Sequence, residues 1–126
     1  MLMKFLTQEE REKTGGTCFI ELQICLLPEK TSLKKILTKH DYWRDDSVYV
    51  HADQPFYSVY KDVFGEGIHP NLETGSLDVC GVTYYRADQI DEIIRRADEA
   101  KPEGYSVLAD WLKEAKKHNG FYILGV

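Results

Sequence analysis

From residue 18 to residue 27 the chain alternates. Ile20, Leu22, Ile24 and Leu26 form one apolar face, while Glu21 and Gln23 interrupt the other. A period of two predicts a strand with one well-buried face, which Pro28 closes. Ahead of it, Thr7-Gln8-Glu9-Glu10 has the spacing of a capping box and predicts a short helix that ends before Gly15-Gly16. Behind it, Ser32 caps a predicted helix reaching Lys39, with Leu33, Ile36 and Leu37 inward. Ser47-Val48-Tyr49-Val50-His51 predicts another strand. Asp53, just before Gln54-Pro55, suits the first turn of a helix whose inner face is Phe56, Val59, Tyr60 and Val63 and whose end is Gly65. Ile68 to Ser76 carries Pro70, Asn71 and Gly75 and is expected to be a loop. Leu77 to Tyr85 returns to strand, with a bulge expected at Gly81.

The last third has the clearest period. Asp88 opens a helix in which Ile90, Ile93, Ile94, Ala97 and Ala100 keep helical spacing, and Lys101-Pro102 breaks it. Pro102 starts a second helix with Tyr105, Leu108, Leu112 and Ala115 inward, which Asn119-Gly120 stops. Phe121 to Val126 is apolar enough to be a strand inside a sheet. These elements predict a single α+β domain over residues 1–126, with a mixed sheet of about four or five strands packed against several helices. A mixed sheet is expected because helices intervene between most strands, while two helices precede the last one.

Composition narrows the functional classes. The 126 residues are 43% hydrophobic and 29% charged, as in globular domains and unlike disordered chains. The net charge of −5 argues against direct binding to a bare nucleic-acid backbone, which needs a positive face. No apolar run approaches the roughly 20 residues of a membrane helix. The apolar start, Met1 to Leu6, runs straight into Gln8-Glu9-Glu10-Arg11-Glu12 and has no long apolar region of the signal-peptide kind. A cytoplasmic protein is therefore expected. Cys18, Cys25 and Cys80 are odd in number and form no CxxC pair, which fits structural thiols in a reducing compartment.

Local signals for catalysis are weak. His40, His51, His69 and His118 are 11, 18 and 49 residues apart and form no close ligand pair, so no metal site is expected. Cys80 lies between Val79 and Gly81-Val82, where a small buried thiol is commoner than a nucleophile. Gly65-Glu66-Gly67 lacks a third glycine, and Glu66 would repel phosphate. No cofactor and no catalytic residue are assigned.

The carboxylates carry more. From Asp41 to Asp78 there are six Asp and two Glu against Arg44 and Lys61, a net −6 that leaves +1 for the rest of the chain. The same stretch holds Tyr42, Trp43, Tyr49, Phe56, Tyr57, Tyr60 and Phe64, seven of the fifteen aromatic residues. Charge speeds encounter with a basic protein and large rings supply anchors, so this composition suits a protein-binding surface. Tyr49, Phe56 and Tyr60 are expected in the core. For Trp43, set in His40-Asp41-Tyr42-Trp43-Arg44-Asp45-Asp46, exposure and burial are equally open, because neighbours that polar are poor core companions.

From Asp78 onward, Asp78-Val79-Cys80-Gly81-Val82-Thr83-Tyr84-Tyr85, Lys101-Pro102-Glu103-Gly104-Tyr105, Trp111-Leu112 and Asn119-Gly120-Phe121-Tyr122-Ile123-Leu124-Gly125-Val126 resemble small bacterial immunity proteins. Such proteins are encoded beside polymorphic or contact-dependent growth-inhibition toxins. The resemblance spans residues 78 to 126 and implies a cytoplasmic protein without catalysis of its own, one that covers the active site or substrate channel of a cognate toxin domain. Many such toxins are nucleases with basic clefts. Charge placement alone then names the expected toxin-binding residues: Trp43, Asp45, Asp46, Asp62, Glu66, Glu73 and Asp78. Two other classes remain open: an oligomeric structural or regulatory module that uses its exposed rings, and a small enzyme built on Cys80 or clustered carboxylates.

Overall fold

A computed structural model describes residues 3–126. The elements run α1 (Gln8–Thr14), β1 (Phe19–Ile24), α2 (Leu33–Ile36), β2 (Val48–His51), α3 (Phe56–Phe64), β3 (Gly67–Ile68), β4 (Thr74–Gly75), β5 (Val82–Tyr85), a 3₁₀ turn (Ala87–Gln89), α4 (Ile90–Ala100), α5 (Tyr105–Ala115) and β6 (Phe121–Leu124). The α+β class is as the periodicity predicts. Among the described residues the strands form one sheet of six in the order β2-β1-β6-β5-β3-β4.

Two expectations about that sheet are corrected. It has six strands instead of four or five, because the stretch expected to be all loop pairs Gly67 with Gly75 and Ile68 with Thr74. Strands of two residues are too short to show a period of two. The sheet is also antiparallel at every pairing, where a mixed one was expected. Neighbouring strands therefore alternate in direction, so β2 and β3, joined by α3, run the same way. They never become neighbours, since β1, β6 and β5 lie between them. The connection from β5 to β6 passes through two helices, and a helical hairpin returns the chain antiparallel to the strand it left.

One face of the sheet carries the main core. Ile20, Leu22 and Ile24 of β1, Val48 and Val50 of β2, Tyr85 of β5, and Phe121 and Ile123 of β6 cluster with Phe56, Tyr60 and Phe64 of α3, Ile90 and Ile93 of α4, and Leu108 and Leu112 of α5. β6 sits between β1 and β5 and is buried along its whole length, as its apolar sequence predicts. Gly120 just before it is obligatory. At φ +84 it lies so close to Tyr85 that a Cβ would come within 2.1 Å of the Tyr85 carbonyl oxygen.

The opposite face is covered as well, in two patches. Ile36 and Leu37, in and just after α2, pack on Ile68, Tyr84, Tyr122 and Leu124. The second patch lies over Glu21 and Gln23. All six residues of β1 are buried, so the strand has two buried faces and not one.

Several boundaries shift for local reasons. α1 begins where the capping box places it: the Thr7 hydroxyl accepts from the Glu10 N–H while the Glu10 carboxylate accepts from the Thr7 N–H. α3 starts at Phe56, later than Asp53, because Asp53 belongs to a turn in which its N–H meets the His51 ring. α5 starts after Gly104, whose positive φ carries the chain from Pro102 into the helix. Strand β5 is shorter than predicted. The Asp78 carboxylate accepts from the Cys80 N–H and turns the chain, so Gly81 sits in a turn and not in a bulge, and Cys80 is exposed, not buried. No helix among the described residues is long and apolar enough to cross a membrane.

Candidate functional site

The second patch is organised by a carboxylate. Glu21 is 3% exposed and points away from the three-helix side of β1. Its Oε1 accepts from the Trp43 N–H at 2.7 Å. Its Oε2 accepts from the Arg44 N–H at 3.1 Å, the Ser47 hydroxyl at 2.6 Å and the Gln23 amide at 3.0 Å. A buried charge is tolerable only when donors replace its lost water, and here four do so. Gln23 extends the hold. Its amide nitrogen donates to the Asp41 carbonyl at 2.9 Å and its amide oxygen accepts from the Asp41 N–H at 3.0 Å.

The loop from Asp41 to Asp46 is thereby pinned to the sheet by its own backbone. Both backbone polar groups of Trp43 are used, since Gln8 of α1 donates to its carbonyl at 2.6 Å while Glu21 takes its N–H. These bonds hold Trp43 at φ +59, a conformation that costs a side-chain-bearing residue about 1–2 kcal/mol. The indole lies nearly parallel to Tyr49, at 17° with centroids 5.8 Å apart, and the Arg11 guanidinium approaches its ring to 4.4 Å. Trp43 remains 38% exposed, so the question left open by the sequence resolves as a clamped ring with a free side.

The buried side of the loop is polar and satisfied. The Tyr49 hydroxyl donates to the Arg44 carbonyl at 2.7 Å, and burial raises its pKa well above the ordinary value, so it stays protonated. Arg44 turns back toward the sheet, donating to the Ile24 carbonyl at 2.8 Å and pairing with Asp46 at 2.5 Å. Trp111 of α5 donates its indole N–H to the Asp46 carbonyl at 2.8 Å and fixes the far end. What faces outward is Asp41, Tyr42, the edge of Trp43, Asp45 and Asp46, all exposed.

Only part of the expected surface is gathered here. Trp43, Asp45 and Asp46 share the loop that leads into β2, at one edge of the sheet. Glu66 follows α3 and enters β3, one strand in from the other edge, and Glu73 lies in the turn before β4, the edge strand itself. From β1, over which the loop packs, three inter-strand spacings (about 14 Å) lead to β3 and four (about 19 Å) to β4. Asp62 is exposed near the end of α3. Asp78 is half-buried and engaged in its own turn, its N–H donating to the Thr83 hydroxyl at 3.0 Å. The run that reads as one acidic stretch along the chain is thus dispersed in space: Trp43, Asp45 and Asp46 share one loop, Glu66 and Glu73 flank β3 and β4, and Asp62 and Asp78 belong to neither group.

Glu21, Gln23, Gln8 and Arg11 are absent from the set that charge placement names, yet they hold the loop. The sequence does carry a trace of them: Glu21 and Gln23 are the polar interruptions of an otherwise apolar strand. No group of three or more His, Cys, Asp or Glu able to hold a metal ion occurs among the described residues. Cys25 is buried with its sulfur 3.5 Å from the Tyr122 hydroxyl, while Cys18 and Cys80 are exposed. Comparison with protein-family models, with curated proteins and with solved structures finds no match to this chain.

Proposed function

We propose that the protein is an immunity protein that binds and neutralises a cognate bacterial toxin domain, a nuclease with a basic cleft, in the cytoplasm. The observation that carries this reading is the 41–46 loop: three carboxylates and two aromatic rings turned outward on a backbone fixed by buried hydrogen bonds. A surface ordered before binding loses little entropy when it docks, so its contacts go into affinity. The carboxylates steer a basic partner and stand in for the phosphates its cleft holds, while Tyr42 and Trp43 offer the ring area that anchors interfaces. Inhibition in this scheme is coverage of the cleft and requires no chemistry from the protein itself. The toxin-facing residues proposed from the structure are Tyr42, Trp43, Asp45 and Asp46; Asp62, Glu66, Glu73 and Asp78 lie apart from them.

The test is charge reversal in the loop and away from it. Asp45→Lys with Asp46→Lys should weaken binding to the toxin domain encoded beside this gene by about a hundredfold, much of it through slower association. Glu66→Lys, toward the far edge, should leave affinity within about twofold. Calorimetry or surface plasmon resonance at low and moderate salt reads both. Equal affinities for the wild type and the loop variant, with the fold intact by circular dichroism, would remove the loop from the interface.

A further inference from the structure

His40 stands where the chain enters this loop. Its Nε2 is 3.2 Å from the Tyr42 hydroxyl and its ring packs on Tyr42 and on Tyr122 of β6, with centroids 5.3 and 5.6 Å away. Its Nδ1 is out of contact with solvent and has no hydrogen-bond partner among the described residues. Neutral imidazole can tolerate this arrangement, with Nε2 donating to Tyr42 and Nδ1 left as a bare acceptor. The imidazolium cannot, because both ring nitrogens then carry hydrogens and the one on Nδ1 would be buried without an acceptor.

We infer that His40 is an acid-operated latch on the acidic, aromatic loop, which opens when the ring takes up a proton. This is a regulation of the surface assigned above and rests on that assignment for its biological meaning. The groups that face the ring are Tyr42 and Asp41 from the loop, Glu21 from β1 and Tyr122 from β6, with Lys39 and Arg44 lining the adjoining hollow beside Asp41. Burial lowers the pKa of His40 below its ordinary 6.5, against the opposing pull of Glu21 and Asp41. The unfolded chain therefore binds the proton more readily than the folded one. The stabilisation is fully present above 6.5 and is lost as pH falls through the lower folded value. A charged His40 regains an acceptor by swinging outward, carrying Tyr42 with it and straining the Asp41–Gln23 and Trp43–Glu21 bonds next in the chain.

The experiment needs only the free protein, so its failure is distinct from a failure of the toxin-binding assignment. Nuclear magnetic resonance follows the His40 ring protons and the amide protection of Asp41 and Trp43, corrected for intrinsic exchange, between about pH 7.5 and pH 5. The expected result is a loss of protection of about tenfold at both amides, with a midpoint that coincides with titration of the His40 ring below 6.5. In His40→Gln or His40→Phe that transition should vanish while amides of β6 keep their protection. Constant protection through the His40 titration, or the same loss persisting in a folded His40 variant, would overturn the latch. If neither variant folds, coincidence of the two midpoints in the wild type decides the matter.

Discussion

Phe121→Ala should lower the stability of the domain by about 4 kcal/mol. Phe121 is fully buried on the central strand, and three elements meet on its ring. Tyr85 stacks on it at 12° with centroids 5.0 Å apart, Trp111 meets it edge-on at 5.7 Å, and Phe64 of α3 lies 6.0 Å away. Truncation removes the contacts of all three and leaves a cavity that the central strand cannot close, because β1 and β5 fix its backbone on both sides. Small domains hold only about 5–15 kcal/mol in total, so the variant should be marginally folded at ambient temperature. Urea unfolding followed by circular dichroism measures it. A loss below about 1 kcal/mol would mean that the core relaxes far more than its packing implies.

Glu21→Ala should cost about 3 kcal/mol, with a different signature. Removing the carboxylate leaves the N–H groups of Trp43 and Arg44, the Ser47 hydroxyl and one hydrogen of the Gln23 amide, whose other hydrogen keeps the Asp41 carbonyl, facing a buried space without an acceptor. The cheapest escape is for the loop to lift and let water reach those donors. Amide protection should then collapse at Trp43 and Arg44 before it falls in β6, whereas Phe121→Ala weakens the whole domain together. Hydrogen exchange resolved by residue separates the two patterns. Glu21→Gln should also be destabilising, since its NH2 group places a donor where the loop or Ser47 already donates.

The contrast between these sites shows what a one-dimensional pattern can hold. The capping box at Thr7, the alternation of Ile20, Leu22 and Ile24, and the helical spacing of Ile90, Ile93 and Ala97 are local regularities, and each reappears in the fold. The direction of one strand against another is not local. It depends on which strands become neighbours, and nothing in residues 82–85 or 121–124 states that they pair with each other. The hairpin of β3 and β4 escapes for another reason, since two residues per strand cannot show alternation. Leu77-Asp78-Val79 has the alternation of a strand, yet the Asp78 carboxylate uses the Cys80 N–H to turn the chain.

The candidate site divides in the same way. Charge and aromatic content pick out the 41–46 loop, because both are properties of a contiguous segment. They also group it with Glu66 and Glu73, because nearness along the chain is all that composition records, and the sheet then places them toward its opposite edge. Glu21 was visible only as a polar residue in a strand. Its role depends on four donors, three of them from residues 43 to 47, converging on one carboxylate.

Neutralisation of a toxin is read out as bacterial growth. The C-terminal domain encoded immediately upstream of this gene is induced in bacteria alone, with the wild-type protein, and with the Asp45→Lys/Asp46→Lys variant, and growth is followed. The expected result is arrest by the domain alone, relief and co-purification with the wild type, and renewed arrest with the variant. A domain that is harmless alone, or that arrests growth equally in the presence of the wild-type protein, would contradict neutralisation.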